Sequence, residues 1–148
     1  MAPPLKGDSL TLHPDKEATM RTTLVAVALL CFMTGAATAQ GAKVTSLMSK
    51  DLPDIPGKEM LMIIVEHAPG GSNPAHRHNA HAMVYVLEGS VVMQVKGGKE
   101  VTLTPGQSFY EGPDDVHVVD RNASTTKPAK FLVVLIKDKG APALVPVK

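Results

Sequence analysis

Tryptophan is absent from this 148-residue chain, and aromatic residues make up only 3% of it, as three Phe and two Tyr. Any core must therefore be built from aliphatic side chains and the eight methionines. The one cysteine, Cys31, excludes an internal disulfide and a cysteine-based zinc site. No sign of charge dominates: 15 Lys+Arg stand against 14 Asp+Glu, a formal charge of +1, which gives no electrostatic footing for nucleic acid or an anionic membrane. The length suits one domain, and the 44% apolar fraction supports a globular fold over a disordered one.

A long hydrophobic run is also missing. From Met20 the chain reads as one arginine, an apolar run from Leu24 to Met33, then small residues ending Ala37-Thr38-Ala39. That order is the one of a cleavable secretory signal peptide over 20–39, with cleavage expected before Gln40. Leu24 to Ala39 is 16 residues and includes Thr34, Gly35 and Thr38. This falls short of the ~20 apolar residues of a spanning helix, so no stable membrane anchor is expected in the mature form. Residues 1–19 are polar and contain proline, and they read as a mis-assigned or disordered extension ahead of the signal. The expected destination is the periplasm or the exterior, where a mature chain without cysteine meets no thiol chemistry.

Beyond a less regular lead-in segment over 40–59, in which Val44–Met48 could form an edge strand, short β-branched and aliphatic runs recur: Met60–Glu66, Ala82–Glu88, Ser90–Val95, Glu100–Leu103, Ser108–Glu111, Val116–Val119 and Lys130–Lys137. Gly70-Gly71, Gly97-Gly98, Pro105-Gly106 and Gly112-Pro113 are among the turns that separate them. Strands this short and evenly spaced predict an all-β, antiparallel barrel or sandwich over 60–137. The tail 138–148, with Pro142 and Pro146, is expected to be extended or disordered.

Histidine is where chemistry concentrates. His76, His78 and His81 fall within six positions, and His117 opens a strand after a tight turn. Positions i and i+2 of a strand share a face, so His76 and His78 aim into one interior. A barrel brings His117 alongside them, and three neutral imidazoles suit a divalent transition metal with coordination positions left open. Iron, manganese, nickel, copper and zinc all accept imidazole, so the identity of the ion stays open.

These residues resemble the motifs of the cupin superfamily. The first motif runs G, five residues, H-x-H, three or four residues, E, six residues, G; here it reads Gly70, His76-Arg77-His78, Ala82 and Gly89. The second runs G, five residues, P-x-G, two residues, H, three residues, N. Gly106 and His117 match it, Pro113 is displaced by one residue, and Asn122 lies one residue late. The resemblance implies a small jelly-roll barrel and, usually, a metal held by three histidines and a glutamate. Ala82 stands at the glutamate position and offers no ligand atom. His81, one residue early, becomes a further candidate ligand if a bulge or late strand start turns it inward.

Without a carboxylate, a three-histidine site leaves the charge of the ion uncompensated and favours anionic ligands such as an enolate or carboxylate. The resemblance thus implies a metal-dependent dioxygenase, or a related decarboxylase or isomerase, acting on a small enolizable or carboxylate-bearing molecule. The alternative is a non-catalytic module that binds a metal or small ligand. Met62, Met83 and Met93 are candidates to line the pocket, Tyr110 to present its hydroxyl there, and Gln107 and Glu111 to flank it. Small cupins commonly pair through sheet faces or edges, so the resemblance also implies a homodimer.

Overall fold

The β-branched runs become eleven strands among residues 41–147, the residues this computed structural model describes, and no helix occurs among them. The expectations for residues 1–19, the signal segment 20–39 and Cys31 lie outside the described residues. In chain order the strands are β1 (Lys43–Asp51), β2 (Lys58–His67), β3 (Ser72–Asn73), β4 (His76–Arg77), β5 (Ala80–Glu88) and β6 (Val91–Val95). There follow β7 (Val101–Leu103), β8 (Ser108–Glu111), β9 (His117–Asn122), β10 (Ala129–Asp138) and β11 (Val145–Pro146).

All pairings are antiparallel and form two sheets. One has the order β1-β2-β10-β5-β8; the other runs β11-β4-β9-β6-β7, with β3 added onto β9. This is the all-β jelly-roll arrangement expected from the spacing of the runs, with β10 at the centre of the first sheet and β9 of the second.

Alternation places the core. In β5 the residues Ala80, Ala82, Val84 and Val86 are buried, while His81, Met83, Tyr85 and Leu87 face out. Across the strand pair, Phe131, Val133 and Leu135 of β10 turn to the same interior and meet Ile63 and Val65 of β2. The other sheet contributes Val91 and Met93. Large rings are scarce in this core, as the composition requires, and Phe131 is the one aromatic ring buried within it among the described residues.

The turn between β5 and β6 needs glycine. Gly89 has φ +72°, a left-handed conformation, and a Cβ added there would meet the Pro128 carbonyl oxygen at 2.4 Å. Both requirements exclude every other residue without movement of the facing loop.

The segments before and after the expected barrel are structured too. Part of the lead-in segment forms β1, a nine-residue edge strand paired with β2. The tail, expected to be extended or disordered, returns as extended backbone to the second sheet, where Val145 and Pro146 pair with Arg77 and His76. The return is fixed by Lys137, whose buried ammonium donates to Glu59 and to the Ala141 carbonyl (2.6 Å). Burying an ammonium costs several kcal/mol unless such partners are present, so the turn after β10 is tied to that lysine.

Candidate metal centre

The register of the second sheet puts His76 of β4 directly opposite His117 of β9. Opposed residues of an antiparallel pair share a face, so both rings enter the interior, with centroids 5.0 Å apart. β4 ends after Arg77, and Asn79 adopts φ +48°, a left-handed conformation that asparagine tolerates better than most residues. The chain therefore turns between β4 and β5 while His78 still faces inward. Its ring lies 4.9 Å from that of His76.

Each of the three imidazoles offers a nitrogen within 4.8 Å of those of the other two. The hydrogen bonds fix which nitrogens are available. His76 donates through Nδ1 to the Pro74 carbonyl (2.8 Å), and His78 donates through Nδ1 to the Ala143 carbonyl (2.6 Å). In a neutral ring a protonated Nδ1 leaves Nε2 with its lone pair. Burial holds the His76 imidazole below the usual histidine pKa, which favours that neutral form. His117 is buried, and neither of its ring nitrogens has a hydrogen-bond partner. Leaving both unsatisfied is costly in a protein interior, and a metal ion would satisfy one of them. The donor set therefore fits a divalent transition metal.

Two carboxylates stand near the rings. Glu111, the last residue of β8, is 2% exposed. Its Oε1 lies 3.2 Å from His117 Nδ1 and its Oε2 lies 3.8 Å from His78 Nε2. Burial alone would lower the His117 pKa; the Glu111 carboxylate opposes it and carries the net shift upward.

Asp120 of β9 is committed elsewhere. His67 donates through Nε2 to its Oδ1 (2.9 Å), and Asn73 donates to its Oδ2 (2.6 Å). Burial pushes the Asp120 carboxyl up, but these two bonds outweigh it and hold the pKa below the usual carboxylate range. Asn122, the residue at the end of the second motif, does not reach the rings. It donates to the Ala68 and Lys127 carbonyls and accepts from Ser124 N–H, which ties the loop after β2 to the loop between β9 and β10.

The cavity in front of the histidines has a volume of about 90 Å³. Its wall is mainly aliphatic, with Val84, Met93, Phe131 and Leu144 among its residues. Of the sequence-derived pocket candidates, Met93 and Glu111 line it. The others do not. Met62 and Met83 sit on the outer face of the first sheet, where the register places them against Val134 of β10. Gln107 is exposed and uses its side-chain oxygen to cap Thr104 N–H (2.8 Å). Tyr110 is 55% exposed, since the residue beside an inward-facing Glu111 must face out.

His81 is corrected for the same reason. β5 begins at Ala80 with unbroken alternation, no bulge intervenes, and the His81 ring points outward to hydrogen bond with the Tyr110 hydroxyl (2.6 Å). It is not part of the cluster.

Residues 63–135 match the profile of the cupin domain family. No curated protein matches the chain. Among solved structures, the chain is similar to a protein with a double-stranded β-helix domain from Klebsiella pneumoniae, at 16% identity and a TM-score of 0.58, over 74% of this chain and 89% of that one. It is similar to a cupin domain from Bordetella pertussis at 22% identity and a TM-score of 0.54, over 69% of this chain and 99% of that one. An oxalate oxidase in complex with the substrate analogue glycolate is 27% identical, with a TM-score of 0.56, over 75% of this chain and 57% of the oxidase.

Proposed function

Residues 63–135 are a small cupin domain, and from that premise we propose an exported metal-dependent cupin with dioxygenase-type chemistry on a small enolizable or carboxylate-bearing molecule. In this reading His76, His78 and His117 hold one divalent transition metal. The observation that carries it is the buried His117 ring, whose nitrogens have no hydrogen-bond partner although two other imidazoles lie within ligand-sharing distance.

When bound, such an ion supplies Lewis-acid polarisation of a substrate oxygen and, if redox-active, a route for electrons to dioxygen. The chain supplies the rest. The Pro74 and Ala143 carbonyls hold the Nδ1 protons of His76 and His78 and so orient the rings. The aliphatic wall keeps bulk water from the reacting centre, which strengthens electrostatic attraction between the ion and an anionic ligand. A small carboxylate suits the cavity, and the oxalate oxidase to which the chain is similar holds glycolate, a molecule of that class. Related decarboxylations and isomerisations draw on the same polarisation.

One observation favours a second reading, a non-catalytic module that holds a metal or ligand. Asn73 and Asp120 already bind each other, which leaves the cavity few free polar groups to orient a substrate.

Export over the signal segment 20–39 and assembly as a homodimer belong to the same proposal. The outer face of β5 and β8 supports the dimer, because Met83, Tyr85, Leu87 and Tyr110 are exposed together there.

The test is elemental analysis of untagged protein recovered after export, whose N-terminus is expected at Gln40. One ion per chain is expected, lost in the His76→Ala/His78→Ala double variant; metal at background in the unaltered protein defeats the proposal. Oxygen uptake with diketones, flavonols and small carboxylates then separates the two readings. Silence across that panel with ligand-induced stabilisation retained supports the binding module.

A further inference from the structure

Ala82 stands where the related motif has glutamate, and the register of the first sheet shows what faces it. Ala82 of β5 pairs directly with Glu111 of β8. Directly opposed residues project to the same face with Cβ atoms about 4.5–5.5 Å apart, so the two side chains share one volume of the interior. Ala82 is fully buried and fills little of that volume. A glutamate at both positions would crowd two carboxylates into it. We propose that Glu111 is the fourth protein ligand of the metal centre, supplying from β8 the carboxylate that β5 lacks at Ala82.

Burial and partners support the assignment, which rests on the metal-binding reading above. A carboxylate with 2% exposure is costly to keep ionised without a counter-charge or hydrogen-bond donors. Among the described residues, the ion-pair contacts of Glu111 are the imidazoles of His117 and His78, and no lysine or arginine takes part. Its 3.2 Å approach to His117 Nδ1 lacks hydrogen-bond geometry, since that nitrogen is without a hydrogen-bond partner. Among the described residues, the ligand atoms that lie within 4.8 Å of one another are those of the three imidazoles alone. The two Glu111 oxygens border that set, 3.2 Å from His117 Nδ1 and 3.8 Å from His78 Nε2, so coordination requires a side-chain rotation that brings one of them onto the ion.

The chain also fixes the position of Glu111 relative to His117. The turn that joins β8 to β9 is closed by Gly112 N–H donating to the Asp115 carboxylate (2.7 Å). Glu111 and His117 sit at its two ends.

The consequence is electrostatic. A carboxylate ligand cancels half the charge of a divalent ion, so the centre attracts anions less strongly than three imidazoles alone would. It also adds a hard oxygen donor, which shifts preference toward manganese or iron.

Co(II) titrations of the chelator-stripped protein test this, read as dissociation constant and visible absorption spectrum. Glu111→Gln is nearly isosteric, and its melting curve without metal verifies the fold. It is expected to weaken Co(II) binding by about 100-fold and to change the spectrum, because an oxygen donor leaves the ion. The swap Ala82→Glu/Glu111→Ala moves the carboxylate back to β5 and is expected to restore both affinity, to within tenfold, and spectrum. An unchanged spectrum with affinity within threefold in Glu111→Gln overturns the assignment. So does weakened binding that the swap does not rescue, since Glu111 would then be a positioning residue for His117. Absence of Co(II) binding in the unaltered protein defeats the metal reading itself, and this proposal with it.

Discussion

Asp120 illustrates how one residue couples the stability of this fold to pH. In the folded chain its carboxylate accepts from His67 and Asn73, and its pKa lies below the usual range. In the unfolded chain it reverts to about 3.9. Below that value the unfolded state binds more protons than the folded one, so stability falls as the pH drops from about 4 through the depressed folded pKa. Asp120→Asn is expected to lose about 1–3 kcal/mol at neutral pH, because its amide offers one acceptor oxygen to the two donors of His67 and Asn73. Its stability should be flatter than that of the unaltered protein below pH 4. Urea unfolding with chelator present, repeated across pH, checks both; an unchanged acid limb in the variant contradicts the role given to this carboxylate. At this scale much of the site was legible. The H-x-H spacing placed His76 and His78 on one face, and the same parity, carried through β5, would have sent His81 and Met83 outward. Glu111 was named only as a neighbour of Tyr110, because its partner Ala82 lies 29 residues away and is revealed by register alone.

Elements bounded by glycine and proline were the easiest to read, because those residues act locally. The turn at Gly89 is the clearest case, with a left-handed backbone and no room for a Cβ beside Pro128. Gly89→Ala is therefore expected to destabilise the domain by more than about 2 kcal/mol, since φ strain and a backbone clash add. Thermal unfolding measures it, and a variant as stable as the parent would show that the facing loop can yield. β1 was legible in part, as a possible edge strand over Val44–Met48, and β11 was not. Every residue of β1 is exposed, so no buried face specifies its alternation, and it is held by backbone pairing to β2. β11 is two residues long and depends on the turn secured by Lys137, a contact between distant positions that no local pattern announces.

At the scale of the molecule, the described residues form two sheets whose interior is aliphatic, and the first sheet also carries apolar side chains on its outer face. Met83, Tyr85, Leu87 and Tyr110 cluster there, where a solvated antiparallel sheet would ordinarily show polar residues. The double variant Met83→Lys/Tyr85→Lys is expected to convert a homodimer to a monomer with the fold intact, read by light scattering and far-UV circular dichroism. A monomeric parent, or a variant that remains dimeric, contradicts pairing through this face. The class and architecture of the domain followed from strand length and turn spacing; the surface proposed for pairing did not, since outward positions are assigned only once the inward ones are known. The claim on which function rests is that one ion sits where His76, His78 and His117 converge. Anomalous diffraction from crystals of the metal-loaded protein, collected on either side of the absorption edge of that metal, tests it most directly. One peak about 2.0–2.2 Å from a nitrogen of each ring is the result predicted, and a map without a peak between the three rings, at full metal loading, would contradict it.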